Sequence, residues 1–341
     1  MKKLLLLSLI LLTSLTSRAQ DLELLLYAKD DASKLMENYM NPVMEGMLFS
    51  LNNGWYHTAK THKKLGFDIT FNVNASIVPS GSKSFVFNQD DYKYLKLANG
   101  DKTATMQTIM GDDNDQNIIV STNIQGKTVK ATSFSLPNGI TGDLPINAVP
   151  SPMVQVGLGL PFKTDLKVRY LPTINTDDVN GSMFGLGIQH DIMQYLGPLD
   201  KLPLNVSILA AFTNMNIDYD LQNSSSMAGK NQKASFQMKA YTVQAIASLN
   251  FPFIAVYGGV GYDFGNTTLK LKGDYELEYT DATTGITFTD AISDPINLDF
   301  NANSFRTTLG ARISLGFFKI YADYSIKKYN TISTGIAFSF R

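Results

Sequence analysis

The chain has 341 residues, and its 29 Lys and Arg nearly cancel its 30 Asp and Glu, so it lacks the basic footprint of a nucleic-acid-binding protein. It has no cysteine, which excludes disulfides, thiolate metal sites, a thiol nucleophile and an N-terminal lipid-anchor cysteine. Charged residues make up only 17% of the chain, against about 25% in soluble domains. Because no apolar run of about 18 residues follows the N-terminal region, two classes remain, a secreted β-protein or a transmembrane β-barrel.

The N-terminus has the pattern of a secretory signal peptide. A basic start precedes an apolar run at residues 4–12, which is shorter than the roughly 20 residues of a membrane-spanning helix. Ser17 and Ala19 supply the small residues of a cleavage site. We therefore expect residues 1–19 to be removed on export, with a retained anchor as the alternative.

Helical spacing follows in the segment 20–60, where apolar residues recur at Leu35, Tyr39 and Val43. Pro42 comes directly after an asparagine, the pattern of a cap and a first helical position, which predicts a second short helix there. Two placements of this segment stay open. It is either a helix pair packed on the periplasmic rim of a barrel or a plug inside its lumen.

Strict alternation of apolar and polar residues predicts membrane-crossing β-strands. The clearest case is the C-terminal strand, which has an apolar face at Ile332, Ile336, Phe338 and Phe340 and small polar residues on the other face. We expect this strand to close a barrel between lipid and a polar lumen. Counting from both ends predicts ten strands at 66–78, 151–160, 162–172, 182–195, 202–217, 234–250, 252–273, 302–316, 318–327 and 331–340.

The connections predict which way the barrel faces. Short turns rich in Gly, Pro and aromatic residues are typical of the periplasmic side, and the longer polar connections at 173–182, 218–233 and 281–301 are then extracellular loops. Within the predicted barrel domain, 66–341, the region 79–150 is either a large extracellular loop or a source of two to four more crossings. The predicted fold is therefore an all-β, transmembrane antiparallel barrel with an even number of strands, ten to fourteen, and a short N-terminal helical segment.

Polar residues at alternate strand positions are the candidates for lining the lumen. In a barrel, opposite charges there either cross-link the interior or form a constriction. The lumen-lining candidates are Asp68, Asn72, Arg169, Arg306, Arg312 and Asp323.

Catalytic and metal motifs are weak in this sequence. His57 and His62 lie beside lysines, a poor place for a cation, and His190 has no nucleophile elbow nearby. The acidic run 112–115 lacks the glycine and the distal glutamate of a calcium loop. We therefore predict no catalytic residue, no metal and no cofactor, and a protein that is not an enzyme.

Several segments together resemble an uncharacterised Bacteroidota family of outer-membrane barrels, which is itself distantly similar to the long-chain fatty-acid transporter barrels. The resemblance implies an N-terminal hatch before the first strand and an outer-membrane barrel that passes hydrophobic compounds. It rests on residues 18–20, 52–56, 66–78, 136–139 and 157–172, with Asn41-Pro42-Val43 as a loose echo of the transporters' N-terminal motif.

The predicted function is passive transport of a small hydrophobic solute across the outer membrane. The alternative is a structural or assembly barrel that docks partner proteins through its extracellular loops. The expected partners are outer-membrane lipid, a hydrophobic small molecule and the barrel-assembly machinery during insertion, without nucleic acid.

Overall fold

A computed structural model describes residues 28–124, 127–144, 147–175, 179–197, 203–221, 228–280 and 287–340. The predicted signal peptide at 1–19 and the first part of the predicted segment 20–60 lie outside these residues.

The described chain contains one long helix and sixteen strands. Helix α1 spans Lys29–Leu51, and single 3₁₀ turns lie at Ser80–Ser82, Gln89–Asp91, Thr141–Asp143 and Met193–Tyr195. The strands are β1 Phe67–Ile77, β2 Ser84–Asn88, β3 Leu95–Leu97, β4 Thr103–Gln107, β5 Asn117–Ile124, β6 Lys127–Ser135, β7 Ala148–Leu160, β8 Thr164–Asn175, β9 Val179–Asp191, β10 Leu204–Asp220, β11 Ala228–Asn250, β12 Ile254–Thr280, β13 Thr287–Ser293, β14 Ile296–Leu315, β15 Phe318–Ile326 and β16 Thr331–Phe340.

Ten of these strands form a closed antiparallel ring in the order β1, β7, β8, β9, β10, β11, β12, β14, β15 and β16, which pairs back to β1. β13 pairs with the far end of β12, while β2–β4 and β3–β5–β6 form two small separate sheets. The predicted antiparallel barrel with an even strand number and an N-terminal helix is confirmed, with ten strands in the ring. In the part of the chain that the structure describes, no helix combines the length and the hydrophobicity needed to cross a bilayer.

Strand β14 shows that, in the half of the ring nearer the short turns, apolar side chains face outward and charged side chains face inward. Its outward side chains Phe305, Leu309 and Ile313 are 82%, 68% and 50% exposed, while the alternating Arg306 and Arg312 are buried inside the ring. A water-soluble barrel would have the opposite distribution. The ring is therefore a transmembrane barrel whose outer face is covered by lipid. From residue 305 to residue 315, a tilted strand spans about 25 Å, the height of the apolar band of such barrels.

The same strand changes character beyond Ser304. There Leu298 and Phe300 are buried inside, and Asp299 and Asn301 are exposed outside. This is the distribution of a water-soluble sheet. We call the level of Ser304 the boundary, the side with the short turns the turn end, and the folded part beyond the boundary the headpiece.

The headpiece consists of residues 78–124 and 127–144, the first half of α1 and the far ends of the longest ring strands. Asp31 of α1 accepts hydrogen bonds from the backbone N–H groups of Lys93 (3.0 Å), Tyr94 (2.6 Å) and Leu95 (3.1 Å). Its apolar core includes Leu35, Tyr39, Phe87, Leu95, Phe236 and Phe300. The region 79–150 therefore holds its own small sheets beside the ring, and these add no strands to the described ring.

The predicted second helix at Pro42 is wrong, because Pro42 lies inside the continuous helix α1. Proline removes one helical hydrogen bond. Contacts with the headpiece stabilise α1 before Pro42, and contacts with the inner face of the ring stabilise it after Pro42. Burial in the headpiece raises the pKa of Tyr39, so its hydroxyl stays protonated and donates to the carbonyl oxygen of Pro137 at 3.4 Å.

The three predicted loops, 173–182, 218–233 and 281–301, are also wrong in their bounds. β8 continues to Asn175, and β9 already begins at Val179. β10 continues to Asp220, β11 already begins at Ala228, and β13 and the start of β14 fall within 281–301. These strand ends lie beyond the boundary, where the outward side chains are polar because they face water.

Candidate functional site

The lumen of the ring is filled by the chain itself. The last turn of α1 and the following segment run from the headpiece through the ring to the turn end, and we call residues 49–66 the plug. The plug contacts every strand of the ring. One contact residue on each, in ring order, is Ser76, Val149, Arg169, Gln189, Ser207, Ser248, Tyr257, Arg306, Ser325 and Ser333.

Cations on the barrel wall cap the C-terminal end of α1, whose last turn carries no basic residue. Arg169 donates to the carbonyl oxygens of Leu51 (2.8 Å) and Asn53 (2.6 Å). Lys327 donates to the carbonyl oxygen of Phe49 at 2.9 Å. The end of a helix leaves carbonyl groups unpaired and carries partial negative charge, so these cations satisfy and stabilise it.

A buried ion cluster joins the plug to the wall on the side of β12 and β14. Asp263 accepts from Lys327 at 2.9 Å, from Arg306 at 3.3 Å and from the Thr242 hydroxyl at 2.7 Å. Arg306 also donates to the carbonyl oxygen of Asn52 at 3.1 Å. Because a buried charge is costly unless it is paired, each member depends on the others for its place.

A second cluster lies nearer the turn end. His57 Nε2 is 3.1 Å from an Asp68 carboxylate oxygen, and His57 Nδ1 is 3.1 Å from an Arg312 nitrogen. Arginine has only donors, so Nδ1 accepts and Nε2–H donates to Asp68, which is the neutral tautomer. His62 Nδ1 lies 2.9 Å from Asp165 Oδ2. Among the described residues, no group of three or more His, Asp and Glu is arranged to hold a metal ion.

The single tryptophan of the chain, Trp55, is the largest fully buried side chain of the plug. The guanidinium carbon of Arg169 lies 3.6 Å from the centre of its ring, and Lys167 donates to its carbonyl oxygen at 2.8 Å. A Cβ atom at Gly185 or Gly187 of β9 would come within 3.2 Å or 3.0 Å of the indole. These two glycines therefore make the space that the indole occupies.

The six predicted lumen residues all face the inside of the ring and are buried, at Asp68, Asn72, Arg169, Arg306, Arg312 and Asp323. Most of their hydrogen-bond partners are residues other than these six. Asn72 donates to the carbonyl oxygen of Gly54 at 3.0 Å, and Asp323 accepts from the Tyr257 hydroxyl at 3.0 Å. The six residues therefore bond mainly to the plug and to other residues of the barrel wall.

Sequence reasoning missed Asp263, Lys167 and Lys327. Asp263 and Lys167 occupy inward positions of the same alternation that identified the six, so that signal was present. Lys327 follows the last residue of β15 but keeps the inward phase of Asp323 and Ser325, so alternation indicated its position as well, although not its partners.

Residues of the closing strand face outward. Ile332, Ile336 and Phe340 of β16 are exposed on the lipid side, and Phe338 is half-buried against Phe318, with ring centres 5.5 Å apart. His190 lies on the turn-end rim, bonded to Thr164 and Tyr195.

The wall of the ring has a gap between β7 and β8. These strands pair only where Gln155–Leu160 meets Thr164–Arg169, although β7 continues back to Ala148 and stays paired with β1. Pro150 and Pro152 lie in this continuation. Proline has no backbone N–H. Because the ladder with β1 is intact, the positions that lack this donor are the ones directed at β8, and no ladder forms there.

A cavity of about 400 Å³ lies at this gap. Its lining includes Met153, Leu171 and Met183 from the inner face of the ring and Phe71 and Ile336 from the lipid face. An intact wall would separate these two groups. The cavity therefore reaches from the lipid face into the wall at the gap, through a lining that is almost wholly apolar.

A closed antiparallel ring with an apolar outer belt and a polar, internally filled lumen defines a plugged transmembrane β-barrel. The chain belongs to a family of unknown function (DUF6588), whose model matches residues 1–340. No curated protein matches it.

Comparison with solved structures gives weak likenesses. The attachment invasion locus protein Ail of Yersinia pestis is 9% identical with a TM-score of 0.26, over 82% of this chain and 100% of that chain. The translocator domain of autotransporter NalP from Neisseria meningitidis is 12% identical with a TM-score of 0.26, over 86% and 93%. The outer membrane protease OmpT from Escherichia coli is 9% identical with a TM-score of 0.27, over 81% and 94%. TM-scores of this size do not establish a common fold.

Proposed function

We propose that this protein is an outer-membrane barrel that passes a small hydrophobic solute passively, sideways through the gap between β7 and β8. The observation that carries the proposal is the apolar cavity at that gap, which is lined from both faces of the wall. Transport along the barrel axis is the less favourable route. It would require the plug to break its bonds to ten strands and to uncover buried charges such as Asp263 and Arg306.

The lining of the cavity favours an apolar, flexible solute. Its volume of about 400 Å³ lies within the range of small-molecule sites. Met153 and Met183 are flexible side chains that adapt to ligands of different shape. Asn72 and Thr334 contribute polarity, and no charged side chain belongs to the described lining. The resemblance of the sequence to Bacteroidota barrels and to fatty-acid transporter barrels supports the same class of solute.

The outer membrane is the proposed location. The signal-like N-terminus predicts export, and a barrel with a lipid-facing belt and a polar interior is the kind of β-structure that spans a bilayer. In this proposal the barrel-assembly machinery inserts the chain, and the turn end lies in the periplasm.

A filled cavity tests the proposal. Leu171→Trp places a large side chain in the cavity, and Leu315→Trp adds the same side chain to the lipid face near the turn end as a matched control. The probe is the apolar fluorophore N-phenyl-1-naphthylamine, followed by its fluorescence during uptake into cells that carry the barrel and during binding to the purified protein. We expect Leu171→Trp to lose most of both signals and Leu315→Trp to keep them. Equal behaviour of wild type and Leu171→Trp would refute the lateral route.

A second candidate is a closed barrel that docks partner proteins through the headpiece. The headpiece has its own apolar core and is tied to α1 through Asp31, so it is a preformed, folded platform. This candidate predicts a stoichiometric partner that co-purifies with the barrel and is retained by Leu171→Trp.

A further inference from the structure

Away from the gap, an aromatic row crosses the outer face of the ring at the boundary. Phe212, Tyr241 and Phe264 are direct cross-strand partners on β10, β11 and β12. The rings of Tyr241 and Phe264 are stacked, with centres 5.1 Å apart and planes at 12°. Both side chains are exposed, so one edge of this flat platform is open to the surrounding lipid.

An amide row lies one outward position above the aromatic row. Asn214, Lys239, Asn266 and Asn301 are cross-strand partners along it. A cleft of about 530 Å³ opens where the two rows meet, and it is lined by Tyr241, Phe264, Asn266, Asp299, Asn301 and Asn303. The described lining holds a carboxylate and no cationic side chain. The lining therefore offers amide donors and acceptors beside an aromatic surface. Its carboxylate disfavours a phosphate, while Lys239 of the same row lies next to Asn266 outside the lining.

A second cavity continues the cleft toward the turn end. It is an apolar groove of about 300 Å³ in the lipid face, and it shares Tyr241 and Phe264 with the cleft. Ala210 faces outward at its floor, with Ile188 and Val243 as direct cross-strand neighbours on either side. The small side chain between two larger ones leaves a furrow that runs within the lipid-covered band.

We propose that the groove and the cleft together bind one glycolipid of the leaflet on the headpiece side. An acyl chain lies in the groove above Ala210, and the saccharide headgroup lies in the cleft. The C–H face of a sugar packs on the aromatic platform, and its hydroxyl groups bond to the side chains of Asn266, Asn301 and Asp299. The position of the site indicates a lipid as the ligand, because the junction of the two cavities coincides with the boundary. A lipid there has its chains beside the apolar band and its headgroup beside the amide row.

The test uses the full-length barrel, purified in detergent, and native mass spectrometry of retained lipid. The probes are monoglucosyl diacylglycerol and phosphatidylglycerol with identical acyl chains. We expect the wild type to retain one glucosyl lipid with roughly a tenfold preference. Asn301→Ala should lower retention about fivefold through loss of a hydrogen bond, and Ala210→Leu should lower it by filling the groove.

Matched controls separate a site from general lipid coating. Ala247→Leu makes the same change on the lipid face of β11, and Asn297→Ala makes the same change on the outer face of β14. Neither residue belongs to the lining of the two cavities. Both should retain the glucosyl lipid as the wild type does. Unchanged emission from buried Trp55 verifies that each variant is folded. Equal retention of the two lipids, or equal losses in the controls and the site variants, would overturn the proposal.

Discussion

Replacing Arg169 with methionine tests whether the wall holds the plug in place. Methionine keeps much of the length of the side chain but removes its donors. Arg169 donates to Leu51 and Asn53 of the plug and to Gln155 of β7, at 2.8 Å, 2.6 Å and 3.1 Å. Each buried acceptor left without a donor costs about 1–3 kcal/mol. Removing the buried cation also removes the free-energy cost of its desolvation, which offsets part of this loss. We therefore expect the free energy of plug docking to fall by about 3 kcal/mol.

A loss of about 3 kcal/mol changes the ratio of docked to undocked plug by about 100-fold. Trp55 reports this change directly, because it is the only tryptophan and is 1% exposed in the docked plug. We expect Arg169→Met to increase quenching of Trp55 by acrylamide and to shift its emission to the red at lower urea concentration than in the wild type. The β-sheet signal in circular dichroism should persist, since the ladders of the ring do not involve the Arg169 side chain.

Lys233→Met is the matched control for this experiment. Its ion pair with Asp218 at 3.3 Å is 41% and 38% exposed, and exposed pairs contribute about 0–1 kcal/mol. If Arg169→Met left both the quenching and the urea midpoint of Trp55 at the values of Lys233→Met, the wall cations would not hold the plug.

Three further predictions follow from other parts of the molecule. Asp263→Asn leaves Arg306 and Lys327 buried without their anion, so we expect plug docking to lose about 3–5 kcal/mol, measured by the urea midpoint of Trp55 emission. The double change Pro150→Val and Pro152→Val restores two donors on the edge of β7, so we expect β8 to pair there and uptake of the apolar fluorophore to slow. Asp31→Ala removes the acceptor of three N–H groups, so we expect the headpiece to lose about 2–4 kcal/mol and to be cut faster by protease while the ring stays intact.

Each of these has a result that would contradict it. Thr242→Val removes the hydrogen bond to Asp263 and the one that Thr242 accepts from Gln244, but it keeps the charge, so it should cost about 2 kcal/mol. An equal loss in both variants would exclude a special role of the charge. For the proline changes, unaltered fluorophore uptake together with new hydrogen-exchange protection at residues 150 and 152 would show that the gap is not the route. For Asp31→Ala, wild-type protease resistance of residues 78–144 would show that α1 does not hold the headpiece.

The sequence by itself determined the ring. Alternation places neighbouring side chains on opposite faces whatever the strand pairs with, so local patterns identified the ten strands and the inward positions of residues such as Asn72 and Arg306. The same patterns identified the outward apolar face of β16. These properties are local, and they need no knowledge of which distant residue lies opposite.

Only the tertiary structure decided what fills the ring and where its wall opens. Lys327 meets the carbonyl oxygen of Phe49 across 278 positions of the chain, and no local pattern encodes such a contact. The gap depends on where the ladder between β7 and β8 ends. The boundary near Ser304 left a trace in the sequence, because apolar residues pass from the even positions 296–302 to the odd positions 305–315. Only the packing of the headpiece inside the ring shows that the first of these halves meets water on its outer face.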